Sequence, residues 1–322
     1  MLSEFDLIAR YFTRPPRAGG PVRLGVGDDC ALLAPPPGES LAISTDMLVE
    51  GRHFFAGADP FSLGHKALAV NLSDLAAMGA RPLGFTLAFS LPSADAGWLA
   101  PFSDGLLALA DAHGIELIGG DTTRGPLNLC ITVFGSVPDG QALRRDGAAA
   151  GDEVWVSGTL GDARLALEAL QGRLELQPAQ LAAAQVRLDR PEPRVALGHA
   201  LRGVATAAID VSDGLLGDLG HILTRSGVGA VINADALPYG AALAHEAPDR
   251  RREFALNGGD DYELCFAAPA ARRQTVLDAA QHAGVPVTRV GCLTREAGLR
   301  VTDGAGIALA VHSRSFDHFA NP

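Results

Sequence analysis

The stretch FSLGHKALAVNLSDLAAMGARPLGFTLAFSL, residues 61–91, decides the fold because a helix pattern is followed directly by a strand pattern. Residues 61–78 predict a helix that Gly79 ends, and Pro82 just beyond opposes its continuation. From 83 to 91 every second residue is Leu or Phe, which predicts a strand with one apolar face. That apolar face would suit an interface between subunits.

The same two patterns continue on both sides of this stretch. Residues 41–44 predict a strand before the helix, and residues 94–113 predict a second helix that Gly114 ends. Residues 127–133 alternate again and predict a further strand. The N-terminal half therefore mixes strands and helices.

A domain junction is predicted at residues 138–151, which are rich in Pro, Gly and Ala. The length of 322 residues favours two domains of ordinary size. Beyond the junction both kinds of element are predicted again, as strands at 153–157, 206–210, 262–266 and 288–293 and helices at 162–170 and 212–226. We therefore expect a two-domain α+β fold, with an N-terminal α/β domain at 1–140 and a C-terminal α+β domain at 141–322.

Composition excludes several classes of protein. The chain has 26 basic and 37 acidic residues, a net charge of −11, so it lacks the positive field that attracts nucleic acid. No apolar run reaches the roughly 18 residues of a membrane span, and the start MLSEFDLIARYF lacks the apolar core of a secretory signal. The four cysteines are far apart and predict buried thiols in a reducing compartment: Cys30, Cys130, Cys265 and Cys292. We expect a cytoplasmic enzyme with neither a nucleic-acid nor a membrane partner.

Two common nucleotide-binding motifs are absent from the sequence. The only lysine, Lys66, follows His65, whereas a phosphate-binding loop of the Walker type needs lysine after glycine. No GxGxxG opens a helix after a strand, so the dinucleotide-binding fingerprint is missing as well.

Aspartates are concentrated where predicted strands or glycine turns end. Each one could simply form an Asx-turn or cap a helix. Asp74 differs because it lies inside the predicted helix among apolar neighbours, where a carboxylate needs a partner. If the strand ends converge, carboxylates without a His or Cys cluster would select hard cations such as Mg²⁺, together with phosphorylated substrates. The strand-end aspartates are Asp28, Asp29, Asp46, Asp121, Asp210, Asp213, Asp260 and Asp261.

Two further segments could contact phosphates. The sequence SGTLGD at 157–162 joins a strand to a helix, so its backbone N–H groups could cradle an anion, although an ordinary capped turn explains it equally well. Arg124, Arg144 and Arg145 could clamp phosphates or could be solvated surface residues.

Seven segments together resemble the thiamine-monophosphate kinase family of the aminoimidazole ribonucleotide synthetase superfamily. The resemblance covers nearly the whole chain. The segments are GVGDDCALL (25–33), LAISTDMLVEGRHF (41–54), KALAVNLSDLAAMGARP (66–82), LIGGDTTRGPL (117–127), AIDVSDGLLGDLGHI (208–222), NGGDDYELCF (257–266) and FDHFANP (316–322).

The resemblance implies ATP-dependent conversion of thiamine monophosphate to thiamine diphosphate with several Mg²⁺ ions, in a homodimer paired through the N-terminal domain. Eight positions match the family's metal ligands: Asp29, Ser44, Thr45, Asp46, Asp74, Asp121, Asp210 and Asp213. Of these, Asp46, Asp121 and Asp213 are expected to be catalytic. Gly120, Asp121, Arg145 and Ser212 match nucleotide contacts, and His53, Asp260 and Phe316 match contacts to the thiamine substrate. The family often has Glu in place of Asp260 and Tyr in place of Phe316.

Other members of the superfamily and a different class of protein are alternatives to this family. Selenophosphate synthesis favours a reactive Cys in a glycine-rich loop, whereas Cys30 leads into an apolar run and is expected to be packed. The hydrogenase-maturation members carry a C-terminal Cys, whereas this sequence ends Ala320-Asn321-Pro322. A ribonucleotide cyclase was a third alternative. A non-catalytic calcium module would show a compact DxDxDG loop, which is missing.

Overall fold

The structure is a computed structural model that describes residues 3–310. The chain divides into two compact units. Unit 1 contains the residues up to Leu75 together with Ala80–Gly140, and unit 2 contains Ala76–Gly79 and the residues from Gln141 onward. Phe316 lies outside the described residues.

Unit 1 is built on a four-stranded mixed sheet. Its strand order is β3-β6-β4-β5, in which β4 and β5 are parallel and the other neighbours antiparallel. A two-stranded ribbon, β1 and β2, precedes it. The elements are α1 (Glu4–Leu7), β1 (Val22–Leu24), β2 (Leu32–Leu33), β3 (Glu39–Val49), α2 (Pro60–Ala77), β4 (Arg81–Leu91), α3 (Ala96–His113), β5 (Glu116–Arg124) and β6 (Asn128–Pro138).

The alternating apolar residues of β4 lie in the core of unit 1. Leu83, Phe85, Leu87, Phe89 and Leu91 are each at most 4% exposed. The prediction that this face would suit a subunit interface is therefore wrong. The exposed apolar face lies instead on the edge strand β3, whose Leu41, Ile43, Met47 and Val49 are 37–59% exposed.

Unit 2 contains a six-stranded sheet of order β12-β9-β11-β7-β10-β8, antiparallel except for the β12–β9 pair. Helix α7 packs on β8 and β10, while α6 and α9 pack on each other. The elements are β7 (Asp152–Ser157), α4 (Asp162–Leu170), α5 (Pro178–Asp189), α6 (Val195–Leu201), β8 (Ala207–Val211), α7 (Leu215–Ser226), β9 (Gly229–Asn233), α8 (Pro248–Asn257), β10 (Glu263–Pro269), α9 (Arg273–Ala283), β11 (Val287–Thr294) and β12 (Leu299–Thr302).

Two details of unit 2 and the cysteines depart from the sequence-based expectations. Helix α7 begins at Leu215, three residues later than predicted, because residues 212–214 form a turn. Cys265 is buried, but Cys30 and Cys292 are exposed, so the prediction of four buried thiols and of a packed Cys30 is wrong. Cys30 lies in a bend outside the strands, and a bulge after Arg289 interrupts the alternation of β11 before Cys292.

The described residues 3–310 contain no helix whose length and apolar content would allow it to cross a bilayer.

Candidate active site

In unit 1, the side chains of β3 and α2 bring three of the predicted metal ligands together. The Ser44 hydroxyl donates a short hydrogen bond to the Asp74 carboxylate. The backbone N–H of Asp46 donates to Asn71 Oδ1 at 3.1 Å, and Asn71 is itself anchored to the Ala67 carbonyl. Ser44 therefore supplies a partner of the kind that the sequence demands for Asp74. Ser44 and Asp46 are half-buried, two residues apart, and so share one face of β3.

Asp121 lies on the other face of the same sheet. The register aligns Asp46 with Ile131, Leu87 and Gly120 across the four strands, and residues directly opposite one another share a face. Asp121 follows Gly120 and is exposed on the opposite face. Three strand spacings of about 4.8 Å also separate β3 from β5, or roughly 14 Å. One ion cannot bridge Asp46 and Asp121 of the same sheet.

Thr45 points to the same face as Asp121. Its hydroxyl shares a hydrogen bond of 2.8 Å with Thr132 on β6. The eight predicted ligands therefore do not form one cluster within unit 1, but lie on two faces of its sheet.

Gly120 is required by the backbone of β5. Its φ is +151°, and a Cβ there would lie 1.8 Å from the Leu87 carbonyl oxygen on β4. No larger residue fits without displacing the neighbouring strand.

Two other predicted residues of unit 1 lie in connections, Asp29 between β1 and β2 and His53 after β3. Asp29 is exposed, and its N–H donates to the Asp28 carboxylate at 2.9 Å. His53 is half-buried in the turn after β3, where its Nδ1 accepts the backbone N–H of Val49 at 3.0 Å. This bond requires Nδ1 to be unprotonated, so a neutral His53 carries its proton on Nε2.

In unit 2, the predicted residues 210–213 occupy the end of β8 and the turn after it. Asp210 is 5% exposed. The backbone N–H groups of Ser212 and Asp213 both donate to one carboxylate oxygen of Asp218, at 3.0 and 3.1 Å. Burial raises the pKa of Asp218 to about 7, against the lowering effect of these N–H donors. Sequence reasoning missed Asp218, although it lies six residues beyond Ser212 in the segment AIDVSDGLLGDLGHI (208–222).

The predicted substrate residue Asp260 adopts an unusual backbone conformation. Its φ is +67° and that of Tyr262 is +50°, both in the left-handed region. The Asp260 N–H donates to the Ser212 carbonyl at 2.9 Å, and the Tyr262 N–H donates to the Val211 carbonyl at 2.8 Å. Asp260 is therefore held directly against the 212–214 turn.

The loop 157–161 is engaged by protein acceptors rather than being open to an anion. The Gly161 N–H donates to both oxygens of the Asp261 carboxylate, at 3.0 and 2.9 Å. The N–H groups of Gly158 and Leu160 donate to the carbonyls of Pro286 and Pro238. The alternative of an ordinary turn therefore describes this loop better than a phosphate cradle.

Sequence reasoning also missed a buried ion cluster next to this loop. Glu263 is fully buried, and its carboxylate accepts the Ser157 hydroxyl at 2.6 Å. Arg187 donates to it at 2.8 Å, and Arg194 donates through two nitrogens at 2.6 and 2.7 Å. The two arginines come from α5 and the start of α6, far from Glu263 in sequence, which is why no spacing pointed to them.

We expect Asp261 to make the stability of unit 2 depend on pH. Burial raises the pKa of this 1%-exposed carboxyl well above its usual 3.8. The folded state thus keeps a proton that the unfolded chain loses, so this contribution to stability is full at low pH and is lost as the pH rises through the folded-state pKa. Denaturant unfolding of the wild type and of Asp261→Asn at about pH 5 and about pH 8 should show the wild type losing stability relative to the variant. A pH-independent difference between the two proteins would contradict this.

Arg145 is exposed in unit 2, and its carbonyl accepts the Ser226 hydroxyl at 2.8 Å. The neighbouring Arg144 is paired with Asp146 at 2.6 and 2.8 Å. Of the two arginines, Arg144 is thus engaged by a carboxylate on the surface.

The donors present suit a hard cation. Among residues 3–310, no group of three or more His, Cys, Asp or Glu side chains is close enough to hold one metal ion. However, the Ser44–Asp74 pair next to Asp46 offers only oxygen donors, which Mg²⁺ prefers, and Mg²⁺ commonly takes one or two protein carboxylates and completes its shell with water and phosphate. The β3–α2 face therefore fits such an ion.

Comparison with known protein families identifies the class of fold. Residues 27–137 match the N-terminal domain family of AIR synthase related proteins, and residues 149–304 match the C-terminal domain family. The two units and their acid-rich strand ends thus define an AIR synthase related protein with a two-domain α+β fold.

Close relatives then give the family. Thiamine-monophosphate kinase of Escherichia coli K12 is 49% identical over 99% of both chains. The crystal structure of thiamine-monophosphate kinase from Stenotrophomonas maltophilia K279a has a TM-score of 0.84 and 52% identity, covering 90% of this chain and 92% of that one. The structure of AaThiL complexed with AMPPCP and TMP has a TM-score of 0.74 and 29% identity, covering 85% and 88%. The chain belongs to the thiamine-monophosphate kinase family, and it is a thiamine-phosphate kinase.

Proposed function

We propose that this enzyme transfers the terminal phosphoryl group of ATP directly to the phosphate of thiamine monophosphate, at a site that holds several Mg²⁺ ions. The observation that carries the proposal is the oxygen-only face of β3 and α2, where Ser44 and Asp74 are joined beside Asp46, in a chain of this family. The relative complexed with AMPPCP and TMP supports the same pair of substrates.

Direct transfer suits the chemistry of the acceptor. A phosphate monoester has a second pKa near 6 and is mostly dianionic at pH 7, so it needs no general base. The remaining difficulty is to bring two polyanions into line, which makes positioning and charge neutralisation the main catalytic contributions. His53 fits this view because its Nδ1 is already engaged by Val49 and is not available as a base.

Each group of predicted residues has a distinct role in the proposal. Bound Mg²⁺ would neutralise the phosphates. The residues that would hold the several ions between them are Asp29, Ser44, Thr45, Asp46, Asp74, Asp121, Asp210 and Asp213. Gly120, Asp121, Arg145 and Ser212 would contact ATP, whereas His53, Asp260 and Phe316 would contact thiamine monophosphate. The residues up to 140 would form the metal, ATP and dimerisation domain.

The test is to mix the protein with ATP, Mg²⁺ and thiamine monophosphate and to assay thiamine diphosphate. ADP formation without that product would contradict the proposal. ATP made chiral at its γ-phosphorus tests the direct step, because a single in-line transfer inverts the configuration. Retention would indicate a phospho-enzyme and would exclude direct transfer.

We propose that the exposed face of β3 pairs with a second copy of the chain. Leu41, Ile43 and Met47 are 45–59% exposed on one face of this edge strand, and such a contiguous apolar surface marks an interface. Ile43→Glu is expected to convert the dimer to a monomer, measured by light scattering over a range of protein concentrations. Ile307→Glu is a matched control because Ile307 is 64% exposed in unit 2. A dimer unaffected by Ile43→Glu would contradict the assignment of this face.

Replacing His53 with Asn or with Gln distinguishes the roles of its two ring nitrogens. Asn places a polar atom near Nδ1, whereas Gln places one near Nε2. We expect His53→Gln to keep a KM for thiamine monophosphate within roughly threefold of the wild type and His53→Asn to raise it roughly tenfold or more, because the proposed substrate donor is Nε2–H. If Asn were the better replacement, His53 would act through its contact with Val49 instead.

A further inference from the structure

Asp218 fills a site that would otherwise attract an anion. Its side chain is 3% exposed, and one carboxylate oxygen accepts the successive N–H groups of Ser212 and Asp213. The Asp218 N–H donates to the Gly214 carbonyl at 3.0 Å. Successive backbone N–H groups aimed at one point form the cradle that proteins use for phosphate. Here the occupant is a carboxylate of the protein itself.

Because Asp218 fills this cradle, the N–H groups of Ser212 and Asp213 are not available to bind a nucleotide phosphate. With their N–H groups engaged by Asp218 and the Ser212 carbonyl engaged by the Asp260 N–H, Ser212 and Asp213 would meet a ligand through their side chains. The Ser212 hydroxyl and the Asp213 carboxylate therefore depend on the buried Asp218 for their position.

The 212–214 turn also contacts Asp260, the residue predicted to bind the thiamine substrate. The Ser212 carbonyl accepts the Asp260 N–H at 2.9 Å, and a Cβ on Gly259 would lie 2.4 Å from that same carbonyl oxygen. The two segments are thus in close backbone contact. The left-handed conformation of Asp260 is costly for a residue other than glycine and persists only when its surroundings fix it.

We propose that Asp218 is the positioning residue for both halves of the unit 2 site. It fixes the 212–214 turn on the nucleotide side and, through the Ser212 carbonyl, Asp260 on the thiamine-phosphate side. The inference rests on the proposed function, since it assigns those two sides.

Hydrogen exchange in the free protein, without ATP or Mg²⁺, tests the cradle directly. In the wild type we expect the Ser212 and Asp213 amides to be protected. Asp218→Ala removes the oxygen that accepts both bonds and should speed exchange of the two amides roughly tenfold or more. Asp218→Asn keeps one oxygen where both bonds end, so it should restore most of the protection.

Steady-state kinetics test the consequence for both substrates. A misplacement of about 1 Å can lower catalytic efficiency on the order of 100-fold. Asp218→Ala should therefore raise KM for ATP and for thiamine monophosphate by roughly 10- to 100-fold each. Asp218→Asn should bring both KM values most of the way back to those of the wild type. Asp152→Ala is the control. Asp152 is 6% exposed in unit 2 and accepts the Ala149 N–H at 3.0 Å and the Thr206 hydroxyl at 2.7 Å. It should lower the melting temperature and leave both KM values unchanged.

The outcomes are distinguishable. An active wild type whose Asp218→Ala variant has unchanged KM values overturns only the inference about Asp218. A wild type that makes no thiamine diphosphate overturns the proposed function and this inference together. If Asp218→Ala does not fold, exchange in the wild type still decides, because unprotected Ser212 and Asp213 amides would show that the cradle does not form.

Discussion

Replacing Asp46 with Asn is expected to lower kcat by roughly 10²- to 10³-fold, the range seen when one preorganised electrostatic contact to a transition state is lost. The substitution keeps the shape and one oxygen of the side chain but removes its charge. Asp46 is half-buried, and its backbone N–H is held by Asn71 on α2, so the Asn side chain should occupy the same position as the Asp side chain that it replaces.

The Mg²⁺ dependence should identify the cause of this loss. If Asp46 holds the ion, the Mg²⁺ concentration needed for half-maximal rate rises in Asp46→Asn while circular dichroism stays unchanged. Asp139→Asn is the control, because Asp139 directly follows β6 and accepts only the Ser40 hydroxyl at 2.6 Å among the hydrogen bonds described. Near-normal activity of Asp46→Asn with unchanged Mg²⁺ dependence would exclude a ligand role.

Replacing Glu263 with Gln is expected to cost about 3–5 kcal/mol of the free energy of unfolding of unit 2. The fully buried carboxylate is the shared partner of Arg187 and Arg194, whose side chains are only 18% and 12% exposed. Gln preserves the shape but removes the buried anion that both arginines contact, and Arg194 then keeps its bond to the exposed Glu192. The loss comes from this uncompensated charge and not from a cavity.

Glu192, a second partner of Arg194, supplies a matched control. Arg194 also bonds Glu192 at 3.0 Å, and Glu192 is 69% exposed. Glu192→Gln should therefore cost at most about 1 kcal/mol. The chain has two tryptophans, and a Trp98→Phe background leaves Trp155 on β7 as the fluorescence reporter of unit 2 during denaturant unfolding. Equal effects of the two substitutions would contradict the buried-pair argument.

Local patterns predicted most elements because they depend on neighbouring residues. Glycine after a periodic run ended helices at Gly114 and Gly227, as expected from its left-handed conformation. The period-two pattern found β4 and β6. The start of α7 was wrong by three residues, because Asp218 captures the N–H groups of residues that would otherwise begin the helix.

The direction of a strand's exposed face was not predictable in the same way. The apolar alternation of β4 predicts an interface, but these residues are buried within unit 1. The less regular strand β3 instead exposes Ile43 and Met47. Burial depends on which elements cover a face, and that information is non-local.

The sequence by itself determined the family, the two-part α+β organisation and the concentration of aspartates at strand ends, because these rest on residue identity and short-range spacing. Only the tertiary structure decided which of those acids share a place. It joined Ser44 to Asp74 and put Asp121 on the opposite face from Asp46. It also separated the two aspartates of the GGDDYE segment, because Asp260 is held against the Ser212 carbonyl whereas Asp261 is buried and bound to Gly161. Strand register and burial set these relations, and both arise from contacts between residues far apart in the chain.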